Sequence, residues 1–176
     1  MMGGMGESER GDEFGLPEPL LVLPSFLLAQ LAREARRISG RVNADGMRMP
    51  HVTVLASLEW FGPAAQKDIS KRLGIDASDL VSLLDDLEER GLVQRQRDDR
   101  DRRRYLVTIT TKGAGVLHGH LVAMRKLDDI LLGALSGEER EKLREMLIRV
   151  YRRHDPDRVP VELLLRLQAI SRIEHL

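Results

Sequence analysis

Two alternating stretches, Leu92-Val93-Gln94-Arg95-Gln96-Arg97 and Tyr105-Leu106-Val107-Thr108-Ile109-Thr110, flank the run Asp98-Asp99-Arg100-Asp101-Arg102-Arg103-Arg104. From Arg90 to Lys112 there are eight Lys or Arg against three Asp, a local net charge of +5 in a chain of 176 residues whose formal net charge is zero. Guanidinium groups gathered at the tip of a hairpin suit a polyanion, because each presents a planar fork of donors that matches a phosphate. The plainer reading is a solvated charged hairpin, since charge runs are common and this one contains its own acids.

The elements that must position this tip lie just before it. Gln66 to Leu73 reads as a short helix with Ile69 and Leu73 on one face, and Gly74 supplies a sharp stop. After the turn Gly74-Ile75-Asp76, Asp76 caps a second helix in which Leu80, Leu83, Leu84 and Leu87 repeat at i, i+3, i+4, i+7. Gly91 ends it. The opposite face carries Ser78, Ser82, Asp85 and Glu89, with Val81 and Asp86 at its margins. Helix, turn, helix and arginine-tipped ribbon together spell a winged helix-turn-helix that sits on double-stranded DNA. Ser78, Asp79 and Ser82, at the leading end of the second helix, are candidates for base contact; Asp79 reads equally well as a charge that reinforces the helix N-terminus. From Asp76 to Arg90 this helix holds six carboxylates and one arginine. Phosphate attraction therefore has to come from Lys67, Lys71 and Arg72 and from the wing, Arg95 included.

Gly62-Pro63, Asp68-Ile69-Ser70, Leu73-Gly74-Ile75, Leu87-Glu88-Glu89-Arg90-Gly91-Leu92-Val93, Asp101-Arg102-Arg103 and Ile109-Thr110-Thr111-Lys112-Gly113 follow one another over about fifty residues in an order and spacing that resembles the MarR family of dimeric bacterial transcription regulators. The chain departs from the family pattern in its reading helix, with Val81 and Ser82 near a position where Arg is common and Asp86 where Arg or Lys is frequent. The resemblance implies that Arg103 enters the minor groove with Asp101 orienting it, and that Arg100 and Arg102 neighbour phosphates. Asp98-Asp99-Arg100 is a second way to place the oriented pair, although the spacing to Ile109-Thr110-Thr111-Lys112-Gly113 favours Asp101 and Arg103. It further implies a homodimer, repression by blocking polymerase, and a small aromatic or phenolic ligand bound where the dimer helices meet the winged heads, with Arg48, His51 and His118 as candidates for lining that cleft.

The rest of the chain fits a mainly α fold with a small β-wing, a winged helix-turn-helix head joined to a helical dimerisation region. Residues 1–15, with five glycines and four acids, read as a disordered leader. Residues 16–61 hold N-terminal scaffold and dimerisation helices, one between Pro24 and Gly46 with Ser25 as its cap and one from His51 to Phe61, whose Trp60-Phe61 pair is expected in the core, with ligand stacking as the alternative. Residues 62–113 form the winged region. Residues 114–154 carry two long dimerisation helices, one with an apolar stripe running to Leu135 and one opened by the capping box Ser136-Gly137-Glu138-Glu139. After a break at Asp155 to Pro160, residues 161–173 repeat apolar positions at helical spacing, an extra helix within 155–176 that is expected to pack across the dimer.

Composition limits the chemistry. An apolar content of 42% is enough for a core, and no stretch approaches the roughly 20 apolar residues of a membrane span. Leu16 to Leu28 is broken by Pro17, Pro19 and Pro24, which argues against a secretory signal and for a cytoplasmic protein. The absence of cysteine removes disulfides and thiolate metal sites. His118 and His120 stand two apart on a helix, about 200° around its axis, and His51, His154 and His175 are scattered, so neither a metal nor a cofactor is expected. No nucleophile elbow or phosphate loop is present, which speaks against an enzyme. The reading from a different class is a winged-helix dimer without operator binding, serving as a protein-interaction or ligand-sensing module; its motive is the acidic second helix.

Overall fold

The computed structural model describes residues 15–42, 46–98, 105–156 and 158. In chain order they form α1 (Glu18–Leu21), α2 (Pro24–Val42), α3 (Met49–Phe61), α4 (Gln66–Leu73), α5 (Ala77–Glu89), β1 (Val93–Arg97), β2 (Tyr105–Ile109), α6 (Thr111–Leu131) and α7 (Gly137–His154). The leader apart from Gly15, the wing tip from 99 to 104 and the extra helix at 161–173 lie outside the described residues. The architecture is mainly helical with a two-stranded antiparallel sheet, the winged helix-turn-helix arrangement that the periodicities predict.

The chain divides into two compact units, residues 1–42 and 43–176. In the first, α2 begins at Pro24 itself, so Ser25 sits inside the first turn and does not cap it; the fixed φ of proline and its missing N–H suit that first position. Leu27, Leu28 and Leu31 stay exposed.

The second unit holds the core. Val54, Leu55 and Leu58 of α3, Ile69 of α4, and Leu80, Leu84 and Leu87 of α5 meet Leu92, Val93, Val107 and Leu117 in one cluster. The leucine stripe of α5 is thus buried as its spacing requires. Gly74 takes φ +59° at the end of α4, the left-handed conformation that reverses the chain within one residue. Asp76 then accepts a hydrogen bond from the Ser78 N–H at 2.8 Å and caps α5. β1 and β2 pair from Val93↔Ile109 to Arg97↔Tyr105. Ala64 adds a third short contact to this sheet, exchanging backbone hydrogen bonds of 3.2 and 2.9 Å with Val107. A single residue gives no alternation to read, so this bridge is invisible to periodicity.

Thr110 joins sheet to helix: its Oγ1 accepts from the Gly113 N–H at 3.0 Å and donates to the Gly91 carbonyl at 2.8 Å. The stripe on α6 was expected to reach Leu135, but the helix stops at Leu131. The end is set by Arg140, whose Nε donates to the freed carbonyls of Leu132 and Leu135 at 3.1 and 3.2 Å while Nη1 pairs with Asp129 at 2.8 Å. α7 opens on the predicted capping box, with the Ser136 N–H donating to Glu139 Oε2 at 2.8 Å and the Glu139 N–H to Ser136 Oγ at 3.3 Å.

Trp60 and Phe61 correct the sequence reading. They are 72% and 61% exposed, not core. Trp60 stands about 200° around α3 from Leu58 and so faces solvent. Phe61, the last residue of the helix, lies past the core; its ring is covered by the Arg72 guanidinium, 4.5 Å from the centroid. Among the described residues no helix is long and apolar enough to cross a membrane.

Candidate nucleic-acid interface

The face of α5 turned away from the leucines carries Ser78, Asp79, Val81 and Ser82, all exposed. Ser78 Oγ donates to Asp76 Oδ1 at 2.5 Å, so its hydroxyl proton is engaged and its lone pairs face outward as acceptors. These bonds, from the Ser78 hydroxyl first and its N–H second, hold the Asp76 carboxyl below the usual carboxylate range. Asp79 is exposed in the first turn, where its charge complements the positive pole of the helix.

Most of the acidity of α5 is matched from within the head. Asp85 Oδ1 lies 2.6 Å from Arg95 Nη2, and Glu88 takes both Arg95 Nη1 and, at 3.1 Å, the Arg95 backbone N–H. Asp86 Oδ2 sits 3.1 Å from His51 Nε2 and 3.0 Å from Arg90 Nε, within ion-pair reach although neither N–H points at it well enough for a hydrogen bond. Asp76 is the cap. Of the six carboxylates only Asp79 and Glu89 face solvent without such a partner.

Arg95, read in the sequence as a phosphate contact, is therefore a strut that ties β1 to α5. Its guanidinium fork is filled by two carboxylates, and reaching a duplex requires leaving both. A double-mutant cycle of Arg95→Ala with Glu88→Ala, read by urea unfolding, is expected to give a coupling of about 1 kcal/mol, because the pair is half-exposed and solvent screens it.

The other cations divide. Lys67 and Lys71 extend from α4 into solvent. Arg72, expected near phosphate, is turned inward: its Nη1 donates to Ser57 Oγ at 3.2 Å beneath the stacked Phe61. Lys112 Nζ donates to the Arg90 carbonyl at 2.7 Å and closes the end of α5. Arg97, at the described end of the wing, donates to Tyr105 Oη at 3.3 Å. Arg100, Asp101, Arg102 and Arg103 lie outside the described residues.

Of the three candidates for a ligand cleft, Arg48 and His118 are exposed, but His51 is only 3% exposed. The Arg48 N–H donates to its Nδ1 at 3.2 Å, which leaves the proton of the neutral ring on Nε2, facing Asp86. His51 thus links the start of α3 to the middle of α5. The sequence reading also passed over His120, which is buried three residues after Leu117 on the inner stripe of α6, a spacing that could have marked it.

This geometry has counterparts of known class. Residues 45–104 match the model of the MarR family. The HTH-type transcriptional repressor NicR of Pseudomonas putida is 30% identical over 86 residues, 49% of this chain and 54% of that protein, so the match spans about half of NicR. The uncharacterized HTH-type transcriptional regulator YwoH of Bacillus subtilis is 31% identical over 119 residues, 65% of this chain and 86% of YwoH. Among solved structures, a probable transcriptional regulator from Pseudomonas aeruginosa superposes with a TM-score of 0.65 at 30% identity, over 74% of this chain and 98% of that one. The proteins alike in sequence and the one alike in structure are all regulators of transcription, and the match to YwoH runs nearly its whole length: the chain belongs to the MarR family of transcription regulators.

Proposed function

We propose that the protein is a homodimeric repressor that binds a pseudo-palindromic duplex, with each α5 in a major groove and each wing in the adjoining minor groove. The observation that carries this reading is the disposition of the α5 acids. With Asp76, Asp85, Asp86 and Glu88 engaged by partners within the head, the leading half of the helix offers Ser78, Asp79 and Ser82 to a groove, and an Asp can accept from cytosine N4. Two-fold symmetry then sets half-sites about one helical turn apart. Repression follows the character of NicR, named a repressor. Arg103, oriented by Asp101, is the minor-groove residue, and Arg100, Arg102, Lys67 and Lys71 meet phosphates. A small aromatic or phenolic ligand releases the duplex by binding more tightly to heads spaced wrongly for DNA.

The test is selection of bound duplexes from a random pool, followed by titration of the winner at several salt concentrations. A two-fold-symmetric winner whose log affinity falls steeply with log salt is expected, with a loss of roughly tenfold or more in Arg103→Ala. A pool that yields no enriched site overturns the reading and leaves a winged-helix module whose partners are proteins or small ligands.

A further inference from the structure

The turn between α4 and α5 is met by a residue 84 positions downstream. Arg158, four residues past the end of α7, lays its guanidinium on Gly74 with Nη2 nearest, so closely that a Cβ added there would run into it, 2.9 Å from Cζ. Gly74 is therefore needed twice over, for its φ and for this contact. Asp155 Oδ2 holds Arg158 Nε at 2.8 Å, which fixes one edge of the guanidinium. Among the described residues the Nη atoms make no other ion pair or hydrogen bond, and the side chain is 41% exposed.

The position matters because the leading end of α5 has little positive charge of its own. Asp76 and Asp79 stand there; Arg72 is turned onto Phe61 and Ser57, and Arg95 is held by Asp85 and Glu88. Lys71 is the one described cation of the α4–α5 segment near this turn that extends into solvent. A guanidinium over the turn, with Nε held by a carboxylate, Nη2 lying against Gly74 and Nη1 without a described partner, can offer that remaining nitrogen to a phosphate.

We propose that Arg158 is a DNA-contacting residue, whose Nη1 meets a backbone phosphate beside the groove that α5 enters, with Asp155 as its positioning residue. This rests on the operator-binding reading and extends it to a part of the chain outside the winged head. A structural pin that merely holds the turn would also weaken binding when removed, but only a phosphate contact changes the number of counterions released.

The experiment titrates a fluorescent duplex of about 30 base pairs and mixed sequence with the full chain across a series of salt concentrations, for the parent, Arg158→Ala and Arg158→Lys, beside a thermal melt of each. The duplex needs no knowledge of the operator, since phosphate contacts act on any sequence. Arg158→Ala is expected to melt like the parent, bind several-fold more weakly at low salt, and show a slope of log affinity against log salt shallower by about one per protomer. Arg158→Lys, which keeps the charge, is expected to keep the slope. A parental slope in Arg158→Ala, whatever its affinity, overturns the contact while sparing the regulator reading. A parent that shows no salt-dependent binding overturns both, and its own titration tells the two failures apart.

Discussion

Leu84→Ala is expected to destabilise the winged head by about 2–5 kcal/mol, enough to take up much of the stability of an ordinary domain. Leu84 is fully buried at the middle of α5, and the core cluster it belongs to draws on α3, α4, α5, both strands and α6. Removing its three outer carbons leaves a cavity bordered by elements that are fixed elsewhere: α4 by its turn, β1 by the Thr110 N–H to Leu92 carbonyl bond of 3.0 Å, and α6 by the Thr110 cap. Partial collapse is therefore costly, and the upper part of the range is the expected one. Val81→Ala, on the exposed side of the same helix, is the control, expected to change stability by no more than about 0.5 kcal/mol. Urea unfolding checks both: the midpoint falls sharply for Leu84→Ala at unchanged slope and barely moves for Val81→Ala. Equal effects would mean that α5 is not seated by its leucine stripe.

The same helix shows where a sequence is legible and where it is not. Local rules read well. The leucine repeat of α5, the reversal at Gly74, the Asp76 cap and the Ser136/Glu139 box each depend on residues within one or two turns, and the structure places them as spacing predicts. What could not be read depends on distant partners. The carboxylates of α5 look like an obstacle to DNA until Arg95 and His51 are seen beside them, seven to ten residues away for Arg95 and 35 for His51. Arg72 looks like a phosphate ligand until Phe61 and Ser57 claim it. Trp60 fails for another reason: hydrophobic type predicts burial only on average, and its angle around α3, which was readable, pointed outward. Arg158 is the extreme case, since nothing near Asp155 signals a contact with Gly74.

The acids of α5 thus serve two ends. Asp85, Asp86 and Glu88 fasten the helix to β1 and α3, which fixes the angle at which its leading end is presented; a residue there has to be held closely to meet a base edge. In the proposed complex, the cations of the 100–104 run, of α4 and at Arg158 supply the phosphate attraction that α5 lacks, so that positioning and attraction are divided between different parts of the chain.

His51 makes that fastening sensitive to acid. Burial lowers its pKa from the ordinary histidine value, and the Asp86 carboxylate opposes the shift without cancelling it; the positive charges of Arg48 and Arg90 push it downward again. The unfolded chain consequently takes up a proton at this histidine at higher pH than the folded chain does. The stability that neutral His51 contributes is complete above the unfolded value of about 6.5 and is lost as pH falls through it toward the folded value, by up to about 1.4 kcal/mol per pH unit. His51→Gln isolates this contribution, because the glutamine amide can accept from the Arg48 N–H and donate toward Asp86 but does not titrate. Between pH 7 and 5 the parent is expected to lose stability faster than His51→Gln, and the two curves are expected to run parallel above pH 7. His51→Ala, which leaves the Arg48 N–H unpaired and Asp86 without its neighbour, is expected to cost about 1–3 kcal/mol even at pH 8. Parallel curves across the whole range would show that His51 takes up its proton without leaving Asp86, and that the link between α3 and α5 survives in acid.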